Sequence, residues 1–159
     1  MKTFQIWDFP KQSSIDHSKN LVLWSSYSDL PNITSIPRII DNNEQVLKEK
    51  FLSLLYEISR LTNNKISLID SLKSKNLMNF WWITNFSEKC NFSKSPDMDN
   101  IIKMLAFEIY FEQNSCETLE LYTDNKYLVL AFKKWCKDRQ VAFKNITKKK
   151  LLYSKLSIP

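Results

Sequence analysis

Trp81, Trp82 and Glu88 are the residues whose types and spacing point most directly to chemistry. If residues 77–89 form a helix, Trp81, Asn85 and Glu88 fall at i, i+4 and i+7, so one face presents an indole, an amide and a carboxylate. Trp82, Phe86 and Lys89 repeat that spacing about 100° further round the axis. A flat aromatic surface beside a carboxylate suits a sugar: the ring covers apolar C–H faces and the acid accepts hydroxyl hydrogen bonds. Glu88 could equally deprotonate an acceptor hydroxyl as a general base, with Lys89 balancing an anionic sugar or a lipid phosphate. The commoner origin of such spacing is a helix with both tryptophans in the core and the two charges in water.

A second set of candidates follows from strand ends. Ser25, Ser26 and Tyr27 come after the apolar run Leu21–Trp24, and Thr123-Asp124-Asn125 come after the alternating run Thr118–Tyr122. Parallel α/β sheets bind ligands outside the carboxyl ends of their strands, so Ser25, Ser26 and Asp124 are expected on one ligand-facing edge. Asp124 or Asn125 is also a good helix N-cap, which is the commoner use of such a residue. His17 is the only histidine and lies in a polar stretch without an acid and nucleophile to complete a triad. Asp97 and Asp99 read as helix-start acids, and no metal site is expected.

The chain contains no glycine, where average usage would supply roughly eleven. Glycine lets backbone approach a ligand closely or take positive φ. Its absence excludes a Walker-type phosphate loop, a dinucleotide-binding glycine turn and the G-x-S-x-G nucleophile elbow. Twenty Lys, fourteen Asn and three Ala accompany it, as a biased codon supply would produce, and the exclusion holds whatever its cause. No cofactor is expected. Cys90, Cys116 and Cys136 are odd in number and form no C-x-x-C pair, so reduced thiols are expected.

The elements that must position these residues follow from periodicity. Strands are expected at 3–9, ending at Pro10, and at 21–24, whose continuous apolar run suits a buried parallel strand. Residues 28–43 read as a loop with a short strand at Ile36–Ile40. Residues 44–61 carry Leu47, Phe51, Leu54, Leu55, Ile58 and Leu61 at helical spacing. Residues 66–75 fit either strand or helix, while 77–89 and 99–113 read as helices. A strand at 118–122, a helix at 125–139 and a strand at 141–143 make a βαβ unit, which implies parallel strands and a right-handed crossover. The expected fold is an α/β three-layer sandwich with a short, mostly parallel, Rossmann-like sheet flanked by helices. Residues 1–146 would form one domain, and 147–159 a basic tail or a truncation point.

The net charge of +6 is spread along the chain apart from Lys148-Lys149-Lys150, which disfavours a nucleic-acid partner and leaves contact with an anionic lipid or glycan open. The first residues lack the apolar core of a secretory signal, so a cytoplasmic protein is expected, working at the inner face of the membrane.

Phe80-Trp81-Trp82-Ile83-Thr84, then Glu88-Lys89, then Lys94-Ser95-Pro96 resemble a stretch in uncharacterised bacterial surface-carbohydrate (O-antigen) biosynthesis proteins. The order of elements from Leu21–Trp24 to the βαβ unit is similar to the N-terminal half of such a protein. About fifteen residues carry the specific likeness, and it departs at Cys90, where the pattern has Ser. The resemblance implies a glycosyltransferase of the two-Rossmann-domain type, in which the C-terminal domain holds the nucleotide-sugar and the N-terminal domain receives the acceptor. It implies a glycan or glycolipid acceptor, a second Rossmann-like domain or subunit as partner, and a chain inactive alone. The rival expectation is a non-catalytic module whose basic surface binds nucleic acid or a partner protein.

Overall fold

The computed structural model describes residues 2–9, 20–30, 33–63, 65–74, 78–84 and 96–148. In chain order these form β1 (Thr3–Trp7), β2 (Asn20–Leu23), β3 (Thr34–Ser35), α1 (Ile36–Asn42), α2 (Glu44–Arg60), β4 (Thr62–Asn63), β5 (Ile66–Ser67) and α3 (Leu68–Ser71). A 3₁₀ turn (Phe80–Ile83), α4 (Pro96–Gln113), β6 (Thr118–Tyr122), α5 (Lys126–Asp138) and β7 (Ala142–Ile146) complete them. The chain divides into two compact units, Met1–Asn42 with Phe107–Pro159, and Asn43–Ala106.

The first unit is built on a five-stranded sheet in the order β3-β2-β1-β6-β7, with every neighbouring pair parallel. It is an α/β, Rossmann-like arrangement with helices against the sheet, as the closing strand–helix–strand pattern predicts. Alternation along the strands sorts the side chains. Phe4, Ile6, Val22, Trp24, Leu119 and Leu121 share one face and are fully buried. The last turns of α4 and the inner face of α5 pack there. Phe107 lies 5.3 Å from the rings of both Phe132 and Trp135, and Trp24 lies 5.3 Å from Phe132. On α5, Leu128, Phe132, Trp135 and Cys136 are the buried positions, the i, i+4, i+7, i+8 stripe read from sequence. Asn125 caps that helix, its side-chain oxygen accepting from the N–H groups of Tyr127 and Leu128 at 3.0 and 3.2 Å.

The other face carries Trp7, Leu21, Leu23 and Tyr122 in an apolar cluster, with the Trp7 and Tyr122 rings 4.9 Å apart. Beside it lies a polar network. Gln5 Nε2 donates to Glu120 Oε2 and to the Tyr122 hydroxyl, both at 3.1 Å, and Lys144 Nζ reaches Glu120 Oε1 at 3.3 Å.

In the second unit α2 buries Leu47 and Phe51 of the stripe its periodicity predicts, while Leu54, Leu55 and Ile58 are half-buried and Leu61, at the C-cap, is exposed. The ambiguous stretch 66–75 contains both alternatives in succession, β5 pairing antiparallel with β4 and then the one-turn α3, started by Ser67 whose hydroxyl accepts from Asp70 N–H at 3.1 Å. Lys65 turns the hairpin at φ 69°, a left-handed position filled without glycine.

Two expected elements differ. Ile36–Ile40 is helical: Thr34 and Ser35 provide the strand pairing, and Pro37 sits in the first turn of α1, where its missing N–H costs no helix bond. The helix expected over 77–89 is, within the described residues 78–84, a single 3₁₀ turn. Asn79 starts it by accepting from Trp81 N–H at 2.9 Å, and the Thr84 hydroxyl closes it on the Trp81 carbonyl at 2.7 Å. Such local side-chain bonds compete with a continuing helix. Among the described residues no helix is long and apolar enough to cross a membrane.

Candidate functional site

The chain runs from β1 outward through β2 to β3 on one side of the sheet and from β6 to β7 on the other. The strand order therefore reverses between β1 and β6, and in parallel α/β sheets the carboxyl ends of the strands open a ligand crevice at such a reversal.

Asp8 occupies that place. It follows the apolar β1 directly and is half-buried, with its N–H donating to the Tyr122 carbonyl at 3.0 Å. Its two carboxylate oxygens are held by hydroxyls from the two neighbouring strand ends. Ser25 Oγ donates to Oδ1 at 3.2 Å and Thr123 Oγ1 donates to Oδ2 at 2.7 Å. Thr123 is fully buried, and its hydroxyl also accepts from Asn125 N–H at 3.0 Å, which ties the carboxylate to the first turn of α5. Ser25 is exposed, so the Oδ1 side of the cluster faces solvent. Ser26 contributes backbone, its carbonyl accepting from Ser35 Oγ at 2.9 Å.

Next to the cluster, a cavity of about 620 Å³ opens between the ends of β6 and β7 and the first turns of α5. Val129 and Leu130 give it an apolar wall, while Thr123, Asp124, Asn145 and Lys126 place polar groups around it. Asp124 Oδ1 accepts from Lys148 N–H at 3.1 Å, and Lys148 Nζ stands 3.8 Å from Oδ2. Asn145 Oδ1 is buried at the cavity without a hydrogen-bond partner among the described residues. An acceptor in that state favours a ligand that brings a hydroxyl or N–H.

The strand-end residues expected from sequence thus lie on one edge of the parallel sheet: Ser25 bonds Asp8 and Ser26 follows it after β2, while Asp124 follows Thr123, the other partner of Asp8, after β6. The paired tryptophans separate. Trp81 is buried at 4% exposure, while Trp82 stands out at 67%. In a 3₁₀ turn successive side chains are 120° apart, so neighbours cannot share a face. Asn85, Glu88 and Lys89 lie outside the described residues. Asp8 is the residue that strand-end reasoning passes over. Its signal is present in the sequence, an acid directly after a β-forming run, and the same rule that selects Ser25 and Asp124 selects it.

The cysteines of this unit are not reactive groups. Burial pushes the Cys136 thiol up to about 12, with neighbouring Cys116 adding to the shift, and burial likewise raises Cys116. Both stay protonated, whereas the thiolate is the nucleophile. Comparison of the chain with protein-family models, with curated proteins and with solved structures finds no match.

Proposed function

We propose that this chain is the acceptor-side, Rossmann-like part of a glycosyltransferase-like protein of surface-polysaccharide biosynthesis. It would work at the inner face of the membrane and receive a glycan or glycolipid acceptor at the carboxyl edge of its sheet. One observation carries this reading: the cavity beside Asp8 pairs an apolar wall with hydroxyl-binding groups. Asp124 offers a carboxylate, Asn145 a buried oxygen that lacks a donor among the described residues, and Lys126 a cation for an anionic sugar or phosphate. That is the mixture a sugar face requires, apolar cover for C–H groups and few convergent polar atoms. Without glycine for a phosphate loop, the nucleotide-sugar falls to a second Rossmann-like domain or subunit, so the chain alone binds acceptor without transferring sugar. Glu88 and Lys89 keep the roles of base and counter-charge, and Glu88→Gln is expected to abolish transfer in the assembled enzyme with the fold unchanged.

The test is ligand-detected NMR with a panel of monosaccharides and sugar phosphates. Sugar phosphates should bind, and Asn145→Leu and Asp124→Ala should each weaken them about tenfold, the worth of one hydrogen bond. Binding that ignores both substitutions, or no binding across the panel, overturns the assignment.

A second reading has its own support. The outer side of α5 exposes Lys126, Lys133, Lys134 and Lys137, a basic stripe that suits a non-catalytic module. It predicts oligonucleotide affinity that falls steeply with salt. Affinity independent of salt would remove it.

A further inference from the structure

The 3₁₀ turn in the second unit combines two properties that conflict in water. Side chains of a 3₁₀ helix stand on three edges, and residues i and i+3 eclipse. Trp81 takes the inward edge; Phe80 and Ile83 share a second, and Trp82 has the third. Both outward edges are therefore apolar, with Phe80 45%, Trp82 67% and Ile83 67% exposed, and Met78 beside them 59% exposed. A turn that met only water would carry polar residues there, and clustered exposure of this kind marks an interaction surface.

Four backbone donors in and beside the same turn are already paired. Phe80 N–H donates to the Leu72 carbonyl at 3.0 Å, Trp81 N–H to Asn79 Oδ1 at 2.9 Å, Trp82 N–H to the Asn79 carbonyl at 3.3 Å and Thr84 N–H to the Trp81 carbonyl at 3.1 Å. Asn79 also donates through Nδ2 to the Ile69 carbonyl at 3.0 Å, which fastens the turn to α3. Desolvating the turn therefore leaves none of these four donors unpaired. That lowers the cost of moving irregular backbone into a low-dielectric layer.

Charge selects the partner. The stretch from Arg60 to Thr84 carries Arg60, Lys65, Lys73 and Lys75 against Asp70, the only acid in it. Asp70 is engaged by Lys73 and Ser67, and these contacts hold its carboxyl below the usual range. The whole chain carries +6. Indole and phenyl rings flanked by cations fit the boundary between headgroups and acyl chains of an anionic bilayer.

We infer that the turn Phe80–Ile83, with Met78, is a membrane-surface anchor that seats Phe80, Trp82 and Ile83 at the headgroup–acyl boundary of an anionic bilayer. The inference rests on the membrane-face location proposed above and is independent of sugar binding in the first unit. The full chain is tested by co-sedimentation with phosphatidylcholine vesicles, alone or with about 30% phosphatidylglycerol, an anionic lipid. Wild type should bind the anionic vesicles, release partly in high salt, and bind the neutral ones more weakly. The double variant Trp82→Ser, Ile83→Ser should lose about tenfold or more in partitioning while its circular dichroism is unchanged. Failure of wild type to bind anionic vesicles overturns the anchor, and that result needs no variant. A folded double variant that binds as wild type also overturns it. So does a chain that self-associates through this turn, seen as a wild-type dimer and a monomeric variant with no vesicle binding. Sugar-phosphate NMR on the same samples reads the other proposal separately, since Trp82→Ser, Ile83→Ser leaves Asp124 and Asn145 in place.

Discussion

The two faces of the five-stranded sheet are built on opposite rules. One is wholly apolar at Phe4, Ile6, Val22, Trp24, Leu119 and Leu121, and is sealed by rings from α4 and α5. The other sets Gln5 beside Glu120 and Glu120 beside Lys144 in the strand register, and ties Gln5 and Glu120 to Tyr122. The apolar face supplies most of the driving force, which scales with area removed from water. The polar face supplies register: a slip of one residue would carry Glu120 into the apolar layer. The apolar rows of β1 and β6 also change character at the carboxyl edge, where Phe4-Ile6 runs on to Asp8 and Leu119-Leu121 to Thr123. The candidate site lies where the dry face becomes polar.

The hardest way to break this contrast is Trp24→Ala. The side chain is fully buried against Phe107 and Phe132, so the loss combines transfer and cavity terms of about 3–5 kcal/mol. Urea denaturation checks it, and a cost below about 1 kcal/mol would mean that the face is not close-packed. On the opposite face Glu120→Ala should cost less, about 1–3 kcal/mol, by removing an acceptor from Gln5 and Tyr122. Replacing Gln5 and Glu120 together by leucine should recover much of that loss, because an unpaired polar group costs more than a matched apolar pair. A double variant worse than the sum of the singles would show that the network stabilises, and does not merely specify.

These features differ in how far sequence reveals them. The strands at Thr3, Leu21 and Thr118 and the helix after Asn125 are local matters of alternation, apolar stripe and cap, and their parallel order follows from the βαβ unit. The pairing of Gln5 with Glu120 joins residues 115 apart, and no local pattern marks it. Asp8 is intermediate. Its position after a strand is local, but its partners Ser25 and Thr123 become neighbours only once β2 and β6 flank β1. At Trp81-Trp82 the α-helical period does not hold, because Asn79 and Thr84 bond the backbone into a 3₁₀ turn. Asn79 precedes the aromatic run, as a cap does, and is the local mark of that turn.

Protonation distinguishes the faces at alkaline pH. Cys136 lies on the apolar side, where burial raises its thiol from the ordinary 9.0 to about 12. The folded chain then keeps a proton that the unfolded chain gives up. The contribution is fully present below pH 9.0 and is lost as pH rises through the window toward about 12. The melting temperature should fall across that window, and Cys136→Ala should flatten the fall. Equal slopes for the two proteins would mean that other groups control the alkaline limb. Native Cys136 should also react slowly with thiol reagents, as a buried protonated thiol does.

The smallest expected effect lies at the rim of the polar face. Lys144 is 63% exposed on its side chain, while its partner Glu120 is only 10% exposed. Two precedents compete here: an exposed pair contributes about 0–1 kcal/mol, whereas breaking a buried pair costs about 3–5 kcal/mol. Glu120 keeps Gln5 and Tyr122 as donors when the lysine is removed, so its charge is not left bare. Lys144→Met keeps the apolar stem and removes only the ammonium, which isolates the charge. The expected cost is therefore at the lower figure, below about 1 kcal/mol, and it should shrink in about 1 M salt, where screening acts within ~3 Å. A cost near 3 kcal/mol that salt does not reduce would place the pair in the buried class. The polar face would then be organised by charge, and Gln5 and Tyr122 would be followers of the ion pair instead of its equals.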